Sequence, residues 1–294
     1  LGFGKTIQPA ELPDRNILKV LTPSFVPPCP SPEEEIRRAL RQPVASRPLA
    51  SIVAPGEKIA VITSDITRPM PSKLVLPILL EELGRAGIPR SDVTVVFALG
   101  SHRPHTEAEK EQIAGSEVYH SVACVDSAAE GFVRMGVTAS GTPVDIAAPV
   151  ARADRRICLG NIEYHYFAGY SGGAKAIMPG VSTREAIQQN HRHMIEAGAS
   201  AGNLDGNPVR SDLEEALGFC PCDFLLNVVL DERKQVAFAV AGDAIEAHRE
   251  GCRMLDRMYR VPMERKADLV IVSPGGYPKD SNLYQAQKAL DNAR

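Results

Sequence analysis

Tryptophan is absent from this chain, and aromatic residues make up only 5% of it. Surfaces that hold single-stranded nucleic acid stack bases on aromatic rings, so that class of partner has little to bind here. No charge of one sign dominates either: 33 basic and 36 acidic residues are interspersed and leave a net charge of −3. A basic face for phosphate backbones is therefore not expected, and neither is a nucleic-acid partner. No apolar run approaches the length that spans a bilayer, and the N-terminus lacks a charged-then-apolar signal. The expectation is a cytoplasmic protein with no membrane partner. Six cysteines are too few and too scattered for a disulfide framework in 294 residues. Cys220-Pro-Cys222 is the one close pair, and no second pair completes a tetrahedral zinc site. Cys29, Cys124, Cys158 and Cys252 read as small apolar fillers.

What is present reads as α/β. Prolines at 23, 27, 28 and 30 force extended backbone, and Ser31, with Glu34 three residues on, caps a helix to about Arg41. Lys58–Thr63, Ser72–Ala86 and Val93–Leu99 then alternate as strand, helix and strand, which implies a parallel sheet with helices on its faces. The helix carries Leu74, Ile78, Leu79 and Leu83 at helical spacing. A helix from Thr106 to about Ala114 and a strand at Ser121–Val125 continue the alternation. Residues 131–160 look β-rich, with short runs at Val144–Ala147 and Arg156–Leu159. Phe224–Leu230 and Gln235–Ala241 read as paired strands, and Ala244–Arg260 as an amphipathic helix. A hinge at Val261–Lys266 precedes a strand at Ala267–Ser273 and a helix from about Ser281. The fold class is thus a large N-terminal α/β domain (residues 1–260) with a mostly parallel sheet, then the first strand–helix of a second α/β domain (residues 261–294). One strand and one helix cannot bury a core, so residues after Arg294 are expected to complete that second domain.

The stretch from Glu163 to Gly180 concentrates the chemistry. It packs His165, the glycines Gly169, Gly172 and Gly173, and Lys175 between a strand-like run and a helix starting near Thr183. Glycines let backbone amides crowd around an anion. A lysine beside them is a phosphate counter-charge or, if desolvated, a nucleophile. The loop fits neither the Walker nor the GxGxxG spacing, and by itself it equally suits a tight surface turn. Its company is more telling. Asp65-Ile-Thr-Arg-Pro69 and Gly100-Ser-His-Arg-Pro104 each follow a strand-like run, where open α/β sheets collect ligands. Asp65 and Arg68 stand close enough in sequence to pair with each other. His102 and His165 leave different strand ends and could face each other as two proton-transfer groups. His105 reads as a solvated loop residue. In His191-Arg-His193 the two imidazoles fall on different helix faces, so His191 alone is assigned to face a metal and His193 is left solvated or at an interface. Tyr284 and Lys288 form an i, i+4 pair on one helical face after the last strand-like run, with Gln285 beside them.

These motifs, DxTRP, GxHR, HxxxGxSGGxKxxxPG, Asn190-His191 and Tyr-Gln-x-x-Lys, run in order through nearly the whole chain. Together they resemble the nickel-dependent lactate racemase family. The resemblance implies an isomerase, a racemase or epimerase of a small, lactate-like 2-hydroxy acid. Its cofactor is nickel in a pincer, pyridinium-3-thioamide-5-thiocarboxylic acid mononucleotide, covalently attached here through Lys175 and supplied by dedicated biosynthetic enzymes. It assigns His102 and His165 to catalysis and Ser171, Gly172, Gly173 and Lys175 to the cofactor. His191 becomes the nickel ligand, and Asp65, Arg68, Tyr284, Gln285 and Lys288 meet the substrate. The rival readings are an NAD-dependent 2-hydroxyacid dehydrogenase, which the missing GxGxxG turn disfavours, and a non-catalytic phosphate- or nucleotide-binding module.

Overall fold

The computed structural model describes residues 1–293 apart from Pro23, Phe25, Pro27, Pro28, Pro278 and Lys279. In the last helix the side chains of Tyr284, Gln285, Lys288, Asp291 and Asn292 also lie outside the described set. The chain divides into two compact units, Val26–Asp256 and a smaller one built from Leu1–Phe25 with Arg257–Arg294.

In the larger unit, Ser31 caps helix α1 (Pro32–Arg41) as its sequence requires, with its hydroxyl accepting from Glu34 N at 3.3 Å. Strand β1 (Ile59–Ser64) is followed by helix α2 (Ser72–Arg85), strand β2 (Val93–Ala98), helix α3 (Glu107–Ala114) and strand β3 (Ala123–Asp126). A reciprocal Thr106–Glu109 capping box starts α3. Next come an antiparallel pair apart from the main sheet, β4 (Phe132–Val137) with β5 (Pro143–Ala147), and then β6 (Arg155–Ile162). A small hairpin, β7 (Tyr164–His165) with β8 (Gly169–Tyr170), precedes helices α4 (Arg184–His191) and α5 (Pro208–Glu215). Strands β9 (Phe224–Leu230) and β10 (Val236–Gly242) form the expected antiparallel pair, and helix α6 (Glu246–Tyr259) follows.

Six strands form the main sheet in the order β10-β9-β6-β1-β2-β3, all parallel except β10. Ile59 to Thr63 on β1 are all buried, so both faces of the sheet are covered, as unbroken apolar runs in parallel strands demand. Val75, Leu76, Leu79 and Leu83 of α2 close one face over Val61, Val95, Phe97, Ile157 and Leu159. Because β6, β1 and β2 are parallel neighbours, the loops after all three leave the same sheet edge. Those loops carry His165, Asp65 and His102.

In the smaller unit, Gly2–Phe3 pairs antiparallel with Thr6–Ile7, and Tyr277 N donates to Gly4 O at 2.7 Å. The strand expected at Ala267–Ser273 is not formed. A strand needs a neighbour for its N–H and C=O groups, and no described segment makes a ladder with this one, leaving Leu269, Val270, Ile271 and Val272 exposed. The last helix runs over Leu283–Ala293. The expected substrate contacts Tyr284, Gln285 and Lys288 fall in it, and their side chains lie outside the described residues.

Candidate active site

Asp65 follows β1 directly and is buried, and its carboxylate is the anchor of the first cluster. His102 Nδ1 donates to Asp65 Oδ2 at 2.7 Å, and Thr67 Oγ1 lies 3.0 Å from each carboxylate oxygen. Burial pushes the Asp65 carboxyl up, but the hydrogen bond and charge of His102, with Thr67 and Arg68, outweigh it and hold the group below its usual range. Asp65 is therefore a carboxylate that only accepts, and the His102 Nδ1 supplies the proton between them. The Asp65–Arg68 ion pair that the spacing allowed is not made. The exposed Arg68 guanidinium has no hydrogen-bond or carboxylate partner among the described residues.

His105 corrects the sequence reading. It is buried rather than solvated, with Nδ1 2.6 Å from Asp126 Oδ1 and Nε2 accepting Ile66 N–H at 3.1 Å. The Phe97 ring lies against it edge-on at 5.6 Å. The residue thereby ties the Asp65–Arg68 turn to the end of β3. Arg103 turns away and pairs with Glu109 at the start of α3.

The hairpin after β6 presents the second cluster. His165 packs against Tyr166 and Phe167, with ring centroids at 5.1 and 4.5 Å, and Phe167 meets His191 edge-on at 4.9 Å. Desolvation, then the charges of Lys175 and Arg68, hold the His165 imidazole neutral far below its ordinary range. Its Nδ1 accepts Ala168 N–H at 3.3 Å, so the neutral ring carries its proton on Nε2. Lys175 sits in a single 3-10 turn, Gly173–Ala176. Its ammonium is pushed well below its usual range by desolvation and then by Arg210 and Arg68, and it has no partner among the described residues. His191, the last residue of α4, is lowered to about 4 by desolvation and by Lys175. His193 is half-buried, paired through Nδ1 with Glu196, and its Nε2 is buried without a partner.

Gly172 and Gly173 adopt φ of +74° and +60°, where other residues are strained, and side chains there would strike Asn227 and His248. Part of the loop is satisfied by the protein itself. Gly173 N donates to Asn227 Oδ1 at 2.9 Å, and Ser171 Oγ joins Asn161 O at 2.7 Å and Glu163 N at 2.8 Å. Two residues here escaped the sequence reading. Arg210 on α5 is fully buried and donates to the carbonyls of Ala168, Tyr170 and Gly172. His248 on α6 lies 2.8 Å from Ser171 O. A lone arginine within Pro-Val-Arg-Ser-Asp-Leu carries no sign of such burial.

The structure thus joins Asp65 directly to His102 and brings Arg68, Lys175 and His191 within electrostatic reach of His165. Among the described residues no three His, Cys, Asp or Glu side chains are grouped to hold a metal ion.

Residues 3–202 match the family model described as the lactate racemase N-terminal domain. A lactate racemase of Lactiplantibacillus plantarum is 35% identical over 90% of this chain, which spans 63% of that protein. Another, from Thermoanaerobacterium thermosaccharolyticum, is 34% identical over 99% of this chain and 69% of its own length. The structure of the lactate racemase apoprotein from the latter organism superposes with a TM-score of 0.84 at 32% identity, covering 98% of this chain and 68% of that one. A Thermotoga maritima protein shares the fold, with a TM-score of 0.64 at 21% identity.

Proposed function

This chain belongs to the lactate racemase family, and from that premise we propose that it carries the catalytic, cofactor-binding part of a cytoplasmic racemase or epimerase of a small 2-hydroxy acid. One observation carries the proposal: a carboxylate-oriented imidazole, His102 on Asp65, and a neutral one, His165, leave the same sheet edge as Arg68, a guanidinium with no carboxylate partner among the described residues. A symmetric reaction at carbon needs a proton-transfer group on each side, and an anionic substrate needs cations.

Nickel and a pincer pyridinium mononucleotide suit the donor set. Lys175 has the low-pKa, unpartnered amine that a covalent attachment requires, and the glycine loop with its nearby cations suits a phosphate. A single imidazole, His191, suits a metal whose other ligands come from the cofactor itself. When bound, that group supplies an acceptor for the α-hydrogen of the substrate as hydride. Ser171 contributes to its seat by holding the turn, since its hydroxyl already serves Asn161 and Glu163.

The chain's own residues do the rest. Arg68 offers its two-pronged guanidinium to the substrate carboxylate. His102 takes the hydroxyl proton at Nε2, and Asp65 stabilises the imidazolium that results and keeps the ring oriented. His165, with its proton on Nε2, donates a hydrogen bond to the substrate oxygen from the other side, and His102 returns its proton to that oxygen when the α-hydrogen is restored. Tyr284, Gln285 and Lys288 join the substrate-binding set on the strength of their motif. Enzymes that build the cofactor are the implied protein partners.

Racemisation of either lactate enantiomer, measured by chiral chromatography without added NAD and with and without cofactor loading, tests this reading. Dependence on NAD would favour the dehydrogenase, and loading that leaves both enantiomers unchanged would favour a binding module.

A further inference from the structure

All five carbonyls from Ala168 to Gly172 are held by the protein. Ala168 O and Gly172 O accept from Arg210 at 3.1 and 3.4 Å, and Tyr170 O accepts from the same guanidinium. Gly169 O accepts Gly202 N–H at 3.0 Å. Ser171 O faces His248 Nε2 at 2.8 Å. A carbonyl only accepts, so the His248 proton sits on Nε2 and Nδ1 is bare. The Cys252 thiol, one helical turn along α6, lies 3.5 Å from Nε2 and 3.8 Å from Nδ1, and it keeps its proton because burial pushes it up to about 12. The Ser171 carbonyl thus sets the tautomer.

In a trans peptide the C=O and the following N–H point in opposite directions. Holding Ser171 O against His248 therefore turns the Gly172 N–H away from α6. The neighbouring loop amides are already taken, Ser171 N by Glu163 O and Gly173 N by Asn227. Gly172 N has no acceptor among the described residues. The ring also packs closely on Gly173, where a Cβ would come within 2.7 Å of His248 Cγ. We infer that His248 is a positioning residue of the glycine loop, aiming the Gly172 N–H at the phosphate of the bound mononucleotide. This rests on reading the loop as a phosphate site, and it adds a residue outside every motif of the loop.

The test uses the full chain, isotopically labelled, titrated with inorganic phosphate while amide resonances are followed. In the wild type the Gly172 amide moves with the binding curve. His248→Leu, which removes the donor, weakens phosphate binding by roughly 5- to 10-fold, the loss expected for one hydrogen bond. His248→Gln, whose amide can still reach Ser171 O, stays within about 2-fold of the wild type by the same reasoning. Phosphate that does not bind, or that binds without moving Gly172, overturns the inference in the wild type alone, whether or not His248→Leu folds. So does a folded His248→Leu chain that binds as tightly as the wild type. Because the readout needs neither cofactor nor turnover, a failed racemase reading would leave these shifts in place.

Discussion

Lys175 shares its interior with a second cation, the buried guanidinium of Arg210, and pairs with no carboxylate among the described residues. Two positive charges in a poorly solvated site disfavour each other's charged forms, and the lysine, which can lose its proton, is the one that yields. Arg210 is held in place by three loop carbonyls and stays charged. The loop is thus built so that its lysine gives up its proton more readily than a solvated one.

That chemistry predicts where the cofactor attaches. Cofactor-loaded protein should carry its added mass on the peptide containing Lys175, and Lys175→Ala should lose it. Peptide mass spectrometry that finds the adduct on another lysine, or none in active protein, would reject the assignment.

Asp65→Asn should leave the fold intact and lower turnover by roughly 10²–10⁴-fold, because the amide no longer selects the Nδ1-protonated ring of His102. Both reaction directions should suffer, since each uses both imidazoles. A loss confined to one direction, or to KM alone, would place Asp65 on the substrate instead.

His191→Ala should reduce nickel retained by the loaded protein, measured by elemental analysis after gel filtration, without lowering the melting temperature. His193→Ala should retain nickel. If the two results are exchanged, the buried, unpartnered His193 Nε2 is the metal-facing nitrogen.

His105→Ala should cost roughly 1–3 kcal/mol, the penalty for leaving buried polar partners unmade, here Asp126 and the Ile66 N–H. Chemical denaturation reads this directly. A change below the error of the extrapolation would mean that water replaces the imidazole.

Stability should fall in mild acid. Burial first, and Arg210 second, hold His248 at about 3, while an unfolded histidine titrates near ~6.5. Between those values the unfolded chain binds a proton that the folded chain refuses, so unfolding becomes easier as pH drops. The slope from this residue is at most about 1.4 kcal/mol per pH unit, and His248→Gln should flatten the dependence of melting temperature on pH over that window. An unchanged slope would show that His248 is not buried as a neutral ring.

The sequence alone determined most of the larger unit's elements and their order, because each of those is specified locally; the helix at Pro208–Glu215 and the hairpin at Tyr164–Tyr170 were not among them. Ser31 and Thr106 cap their helices through backbone atoms three residues away, and the apolar run of β1 needs cover on both faces wherever it lies. The parallel alternation also sufficed to send the Asp65, His102 and His165 loops to one sheet edge. Which side chains meet there was a matter for the tertiary structure. Asp65 had two partners open to it, Arg68 in its own turn and a histidine thirty-seven residues on, and packing delivered the second. His105 looked like a loop residue because nothing nearby in sequence reveals Asp126 and Phe97, which reach it from two other strands. Arg210 and His248 were invisible for the same reason. Their partners are backbone carbonyls, which carry no residue identity, and those carbonyls lie up to seventy-seven positions away. The apolar run at Ala267–Ser273 shows the converse: local propensity suggested a strand, but a ladder exists only where a second strand lies beside it.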